Sequence, residues 1–267
     1  MAHRIIVIGA ANADISGIPS ANLIPRDSNP GKISITRGGV GANIAVELRN
    51  FGNEVSFITV FGGDTFAQFV RTELEDSGVD IFPSLNCRDK NSSVYVYITD
   101  GEGDTYAAVN DMDIINEITP SFLRRRIDAI NDYDACVIDC NLSREAIEFL
   151  AENVTVPLYA DPTSGIKAVK LKGLLDRFTA IKPNRMEAEA IGDIPCRCYL
   201  SSGLDGIYAK DGDREVHAAA PNVKVTDSNG CGDAATAAII HAELEGYNLK
   251  QTAEFAVKTA FEKAAGN

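Results

Sequence analysis

The chain has 267 residues, 45% of them hydrophobic, enough to bury a full core as one large domain or as one domain with a lid. A formal net charge of −13 argues against a nucleic-acid backbone or an anionic membrane as the principal partner, although local N–H groups can still hold a small phosphorylated ligand. No apolar run reaches the roughly 18 residues of a membrane helix, and Met1-Ala-His-Arg4 leads directly into a strand, so a cytoplasmic protein is expected.

The six cysteines (Cys87, Cys136, Cys140, Cys196, Cys198, Cys231) fall mostly in apolar strand-like segments. Cys196-Arg-Cys198 has the wrong spacing for a zinc knuckle, which leaves reduced thiols as the expectation.

Arg4 to Ala10 reads as a strand covered on both faces, followed by small and polar residues. Ligands of open α/β sheets sit beyond the carboxyl ends of the strands, which puts Asn12 and Asp14 where a polyhydroxylated ligand is gripped; turn formation is the plainer role for both. Lys32-Ile-Ser-Ile-Thr36 and Ser93-Val-Tyr-Val-Tyr-Ile-Thr99 alternate, and Asp100-Gly-Glu-Gly-Asp104 joins the second to Thr105–Val109 as a hairpin. These pieces, about 15–37 and 92–112, predict a small antiparallel lid, one face toward the ligand and the other open to a partner subunit.

Gly38-Gly-Val-Gly-Ala-Asn43 opens a helix and is neither a dinucleotide fingerprint nor a P-loop. Its glycines, Gly38 and Gly39 first, predict a close backbone approach to a sugar, with Asn43 directed at hydroxyls. Thr65-Phe-Ala-Gln68 has the capping-box pattern, ahead of a core stripe of Phe66, Phe69, Val70 and Leu74. Asn110-Asp-Met-Asp-Ile114 is a polar cluster where the lid returns to the body. Thr119-Pro120 predicts a helix from Ser121 to Ile130, with Arg124-Arg-Arg126 as a solvated face.

Buried strands ending at Asp139, Asp161 and Asn184, with helices at Arg144–Glu152 and Val169–Asp176, complete β-α units. Asn184 and Glu187 share one face of a first helical turn and are able to hold the waters of a Mg²⁺ ion; the same pair also suits a helix cap. Tyr199–Ile207 reads as strand, glycine turn and strand.

Val225-Thr-Asp-Ser-Asn-Gly-Cys-Gly-Asp233 then runs into an Ala-rich helix. Gly230 and Gly232 free the backbone, the helix offers unpaired N–H groups to an anion, and Asp233 stands beside them. A carboxylate there repels a resting phosphate, and proton abstraction from an attacking hydroxyl explains it; an N-cap is the plainer role.

Together these segments resemble the ribokinase-like carbohydrate and nucleoside kinases from about His3 to Ala260. Asp227-Ser-Asn-Gly-Cys-Gly-Asp233 is similar to that family's C-terminal signature, with Ser228 and Cys231 where Thr and Ala are usual. Gly38–Asn43 resembles its N-terminal signature, and Asn184-x-x-Glu187 its magnesium motif. Asp27-Ser-Asn-Pro-Gly-Lys-Ile33, Val109–Ile114, Asp139-Cys-Asn141 and Lys182–Glu189 are most like the pseudouridine kinases within it.

The resemblance implies an α/β three-layer sandwich with a mostly parallel central sheet and a small antiparallel β lid. It implies ATP as co-substrate, Mg²⁺ through water on Asn184 and Glu187, and room for a monovalent cation. Ribose would be held by Asn12, Asp14, Gly38, Gly39, Asn43 and Asn110, and the nucleotide by Asn184, Ser202, Gly203, Gly206 and Asp227. Asp233 would be the base, with the N–H groups of Gly230, Cys231 and Gly232 stabilising the transferring group. The acceptor would be pseudouridine, or in ribokinases, fructokinases and other nucleoside kinases a different sugar or nucleoside; a homodimer through the lid is implied too.

Two departures fall on the nucleotide side. Gly192–Cys198 replaces a longer, helix-bearing link, and the tail after Phe261 lacks the last elements of relatives. They raise a reading of another class, a relative that binds its ligand without turning it over.

Overall fold

A computed structural model describes residues 2–100, 104–221 and 229–266. The chain runs β1 (Arg4–Ile8), β2 (Asn12–Pro19), β3 (Gly31–Gly38), α1 (Val40–Asn50), β4 (Glu54–Ile58), β5 (Val60–Phe61), α2 (Thr65–Asp76), β6 (Leu85–Asn86), β7 (Val94–Thr99) and β8 (Thr105–Asp111). It continues through α3 (Pro120–Arg124), α4 (Ile127–Asn131), β9 (Ala135–Asp139), α5 (Arg144–Asn153), β10 (Leu158–Asp161), α6 (Gly165–Ala168), β11 (Ala180–Ile181) and α7 (Arg185–Ile191). The last elements are β12 (Arg197–Ser201), β13 (Ile207–Asp211), β14 (Arg214–Ala218), α8 (Cys231–Leu244) and α9 (Leu249–Ala264).

The main sheet has the order β14-β13-β12-β11-β10-β9-β1-β4, parallel from β12 to β4 and antiparallel at β13 and β14. The unbroken apolar strands have their explanation here, because both faces are covered. Ile5, Val7, Val137 and Tyr159 pack with α1, α2, α8 and α9, whereas Ile6, Ile8, Ile138 and Leu158 pack on the other side with α5 and its neighbours. Three layers result. The Ala-rich α8 is buried nearly all round, since its small side chains let α1 and α9 approach closely.

The second sheet has the order β3-β2-β7-β8. Its outer pairings are antiparallel, and β2 runs parallel to β7 in the middle. Register sorts its residues by face: Ile35, Ile15, Val96 and Val109 share one row, while Thr36, Asp14, Tyr95 and Asn110 share a row on the other face. Much of the apolar row is open, with Val109 74% exposed. The loop 101–103 of the expected hairpin lies outside the described residues.

Several local expectations are corrected. Helix α2 is capped by Asp64, which accepts from the Ala67 N–H at 2.9 Å, so the cap stands one residue before Thr65. Thr119 does cap α3, but the expected long helix breaks at Arg125–Arg126 into α3 and α4. Of the three arginines there, Arg126 stacks on Phe122 at 3.7 Å and donates to the Pro83 carbonyl, and Arg124 lies over Phe149; they are not simply solvated. The helix expected over Val169–Asp176 shrinks to 3₁₀ turns at Val169–Leu171 and Leu175–Arg177, because Gly173 adopts a positive φ of 74° between them. None of the six cysteines, all of them described, is in a disulfide, and no described helix is long and apolar enough to cross a membrane.

Candidate active site

The parallel strands deliver their polar ends to one edge of the main sheet. Asp139 at the end of β9 is wholly buried, and its carboxylate accepts three backbone N–H groups: Ala10 at 2.9 Å, Gly41 at 2.8 Å and Asn141 at 2.8 Å. Burial raises its pKa while those three donors pull it back. This single group ties the end of β1 to the first turn of α1, and Gly9 and Gly41 are glycines because a Cβ on either would run into its carboxylate. Sequence reasoning noted Asp139 only as a polar strand end; an aspartate closing an otherwise apolar run was the available signal.

The glycine pair also has reasons within the fold. Gly38 makes room for the Asp14 carboxylate, and Gly39 takes φ 98° against the Ala10 carbonyl, where it caps α1. Asn12 is buried and donates to Asp14 Oδ1. Burial raises the Asp14 pKa, opposed by the Asn12 hydrogen bond and the Arg37 charge. Asn110 stands in the same cross-strand row as Asp14, with Tyr95 between them.

Asn43 is the hinge of the arrangement. Its Oδ1 accepts from Arg37 Nη1 at 2.9 Å, and its Nδ2 donates to Asp233 Oδ2 at 2.8 Å. Arg37 precedes the glycine pair in a strand that reads as exposed, so its part was not legible in the sequence. The N-cap of α8 is Gly230, left-handed at φ 69°, a residue with no side chain to offer the helix. Asp233 lies inside the first turn and is not the cap; its carboxylate turns toward Asn43 instead. The first turn of α1 is held from outside the helix, for there Asp139 takes the Gly41 N–H and the Ala10 carbonyl takes that of Ala42 at 3.1 Å.

Asp233 is only partly exposed, and most of its surroundings are protein. Burial pushes its pKa up to about 7, aided by the Asp161 carboxylate and resisted by the Asn43 hydrogen bond and the Lys182 ammonium. Lys182 is buried behind α8 and pairs with Asp161 at 3.2 Å, while Thr236 donates to the same carboxylate at 2.7 Å. Burial works against the lysine's charge, but Asp161, Asp233 and Glu187 outweigh it and hold its pKa above the ordinary value. Neither Asp161 nor Lys182 was singled out from the sequence.

Asn184 and Glu187 form a reciprocal capping box on α7: Asn184 Oδ1 accepts from the Glu187 N–H at 2.9 Å and Glu187 Oε2 from the Asn184 N–H at 2.8 Å. Each is thereby oriented, and burial raises the pKa of Glu187. No described cluster of His, Cys, Asp or Glu makes a direct metal cage. A buried carboxylate with only one oxygen engaged by its cap suits an ion that retains its waters, which is how Mg²⁺ is usually held.

Beside the opening of α8 lies a cleft of about 460 Å³, lined by Cys231 and Gly232 at one end and by Leu204, Ile207, Val257 and Phe261 along its walls. Gly203 and Gly206 line it as well, with φ of 56° and 91°. Ser202 does not; its Oγ accepts from Arg185 Nε at 3.1 Å, while Ser201 lines the cleft in its place. The shortened link simply returns α7 to β12, and α9 supplies one whole wall despite the short tail. Asp227 lies outside the described residues.

The site therefore joins an oriented carboxylate, a glycine-led helix opening and an apolar cleft, and the pfkB family carbohydrate kinase profile matches residues 2–195 and 197–264. The chain belongs to the pfkB carbohydrate kinase family. It is 34% identical to the pseudouridine kinase of Escherichia coli K12 over 94% of this chain and 87% of that one. It is 27% identical to the guanosine-inosine kinase of Exiguobacterium acetylicum over 98% of this chain and 95% of that one. Among solved structures, a carbohydrate kinase from Agrobacterium tumefaciens matches with a TM-score of 0.87 and 27% identity, over 97% of this chain and 89% of that chain. The pfkB kinases transfer phosphoryl groups to alcohols, so the carboxylate beside an open helix terminus has a chemical context.

Proposed function

We propose that this pfkB-family kinase transfers the γ-phosphoryl group of ATP to the 5′-hydroxyl of pseudouridine, with Asp233 as the general base. The observation that carries the reading is the Asp233 carboxylate, oriented by Asn43 on the acceptor side, in the first turn of a helix that opens on a left-handed glycine. The name of the 34% identical relative supports the choice of nucleoside.

In this mechanism Asn12, Asp14, Gly38, Gly39 and Asn43 grip the ribose, and Asn110 reaches it from the row it shares with Asp14. The 5′-oxygen attacks the γ-phosphorus, its proton passes to Asp233, and the bond to the β-phosphate bridging oxygen breaks to release ADP. Backbone N–H groups of Gly230, Cys231 and Gly232 stabilise the charge on the moving group, each well-placed donor contributing about 3–4 kcal/mol. Gly203, Gly206, Asn184 and Asp227 serve the nucleotide, with Ser201 in the place first expected of Ser202. Asn184 and Glu187 would hold Mg²⁺, whose charge would offset that of the phosphates.

The chain acts as one domain whose second sheet, about 15–37 and 92–112, is the lid that excludes water. A second copy covers the lid's apolar row of Ile15, Ile35, Val96 and Val109, which a concentration-dependent molar mass in solution checks.

A panel of pseudouridine, uridine, guanosine, adenosine, ribose and fructose with Mg-ATP tests the acceptor. Turnover confined to pseudouridine is expected. Preference for guanosine supports the second nucleoside reading, which the guanosine-inosine kinase relative motivates, and no turnover of any acceptor ends the catalytic reading.

A further inference from the structure

Arg37 stands one residue before the end of β3, paired with Ala13 of β2. That register places it on the face of the second sheet that carries Ile15 and Ile35, opposite the row of Thr36, Asp14 and Asn110. Arg37 therefore reaches the site from behind the residues assigned to the ribose. It is partly buried, and burial lowers its pKa against the charges of Glu73 on α2, Glu47 on α1, Asp233 on α8 and Asp14 on β2. With carboxylates on all these elements, its hydrogen bond at 2.9 Å goes to the neutral amide of Asn43.

The direction of that amide follows from the chemistry of its two neighbours. A guanidinium has donors and no acceptor, and an ionised carboxylate has acceptors and no donor. Asn43 lies between Arg37 and Asp233 with one oxygen and one NH₂, so only one of its two orientations satisfies both. Its Oδ1 must face Arg37, and its Nδ2 then donates to Asp233 Oδ2 at 2.8 Å. Without Arg37 the amide is free to turn over. Its oxygen would then face Asp233, an arrangement satisfied only when that carboxyl carries a proton.

We propose that Arg37 is a positioning residue for phosphoryl transfer, which fixes the direction of the Asn43 amide and so keeps Asp233 ready to accept a proton. The assignment rests on the reading of Asp233 as the base. Burial and the carboxylates of Asp161 on β10 and Asp139 on β9 favour the protonated form of Asp233, whereas the Asn43 hydrogen bond and Lys182, just after β11, favour the ionised one. Of these influences, the hydrogen bond is the one that Arg37 governs.

The test follows two pH titrations in wild type, Arg37→Met and Arg37→Lys: kcat/KM for pseudouridine with Mg-ATP, and the Asp233 carboxyl resonance of ¹³C-aspartate-labelled protein, assigned by its loss in Asp233→Asn. In Arg37→Met both midpoints should rise by about one pH unit from the wild-type value of about 7, the effect of losing one hydrogen bond to a charged group. The variant should thus lose about tenfold in kcat/KM at pH 6 and recover most of it at pH 9. Arg37→Lys, which also donates only, should keep most of the wild-type midpoint. In an Asn43→Ala background, Arg37→Met should shift nothing further. An equal loss at every pH with an unmoved midpoint would reduce Arg37 to a structural part, and a shift that persists without Asn43 would mean that its charge acts on Asp233 directly; either overturns the proposal. Should Arg37→Met fail to fold, Arg37→Gln serves in its place, because two neutral amides can turn over together; an unmoved midpoint there overturns the proposal equally. A wild type that phosphorylates no acceptor removes the kinase reading alone, since the Asp233 resonance still decides what Arg37 does.

Discussion

The two halves of the cleft are built on opposite plans. On the acceptor side every polar group is already engaged with another: Asn12 with Asp14, Arg37 with Asn43, Asn43 with Asp233, and Asp139 with three backbone N–H groups. On the donor side the walls are mostly apolar, and the helix that opens there starts at a glycine. A preorganised polar network fixes geometry before the ligand arrives, and an apolar wall accepts whatever flat surface fits it. The difference predicts that damage on the acceptor side appears in turnover and folding, and damage on the donor side in the Michaelis constant for the nucleotide.

The largest effect is expected at Asp233, where the halves meet. Asp233→Asn keeps its hydrogen-bonding shape but removes the base, so kcat should fall by about 10²–10⁴ with the fold retained. In the free wild-type enzyme, kcat/KM should rise with pH up to about 7 and then level, as the carboxylate loses its proton. The stability consequence has the opposite sign. A carboxyl group whose folded pKa lies above its unfolded value binds its proton more tightly in the fold, so that contribution is present at acid pH and disappears as pH rises through about 7. Asp233→Asn should therefore melt higher than wild type at pH 8 and close to it at pH 4. Equal melting temperatures at pH 8 would mean that the carboxylate ionises without strain.

Asp139 comes next. Asp139→Ala orphans three buried N–H groups, each costing about 1–3 kcal/mol, and frees the first turn of α1 from β1. Thermal unfolding should drop by many degrees, and the surviving enzyme should show a raised acceptor KM with its nucleotide KM little changed. A mutant whose nucleotide KM rises instead would break the division between the halves.

Much of this was readable from residue order. Continuous apolar strands closing in Asp139, Asp161 and Asn184 announce a two-sided parallel sheet, and small residues after Gly232 announce a helix packed on every side. The partnership between groups was not readable. Asn43 and Asp233 are 190 positions apart, and nothing local says that one orients the other. Glycine is the clearest case: Gly9, Gly38 and Gly41 look like flexibility for a ligand, whereas each is the space vacated for a buried carboxylate of Asp139 or Asp14. Helix ends were hard for a related reason. Gly173 interrupts an apparently helical stretch through its backbone conformation, and only a solved path shows that it takes the left-handed region.

On the donor side, Phe261→Ala removes an aromatic wall of the cleft without touching any polar group. The nucleotide KM should rise by about tenfold, in line with the partial loss of one aromatic contact, while acceptor KM and kcat at saturating ATP stay close to wild type. A fall in saturated kcat would mean that the wall also aligns the triphosphate for transfer.

The smallest effect should belong to Cys231. It stands at the first position of α8 and in the lining of the cleft. If the helix opening works through backbone N–H groups, the side chain at that position needs only to be small, and alanine keeps the backbone donor while favouring the helix slightly. Cys231→Ala should therefore keep kcat and both Michaelis constants within about twofold of wild type. A loss of tenfold or more would place a side chain, rather than the peptide backbone, at the centre of the donor half.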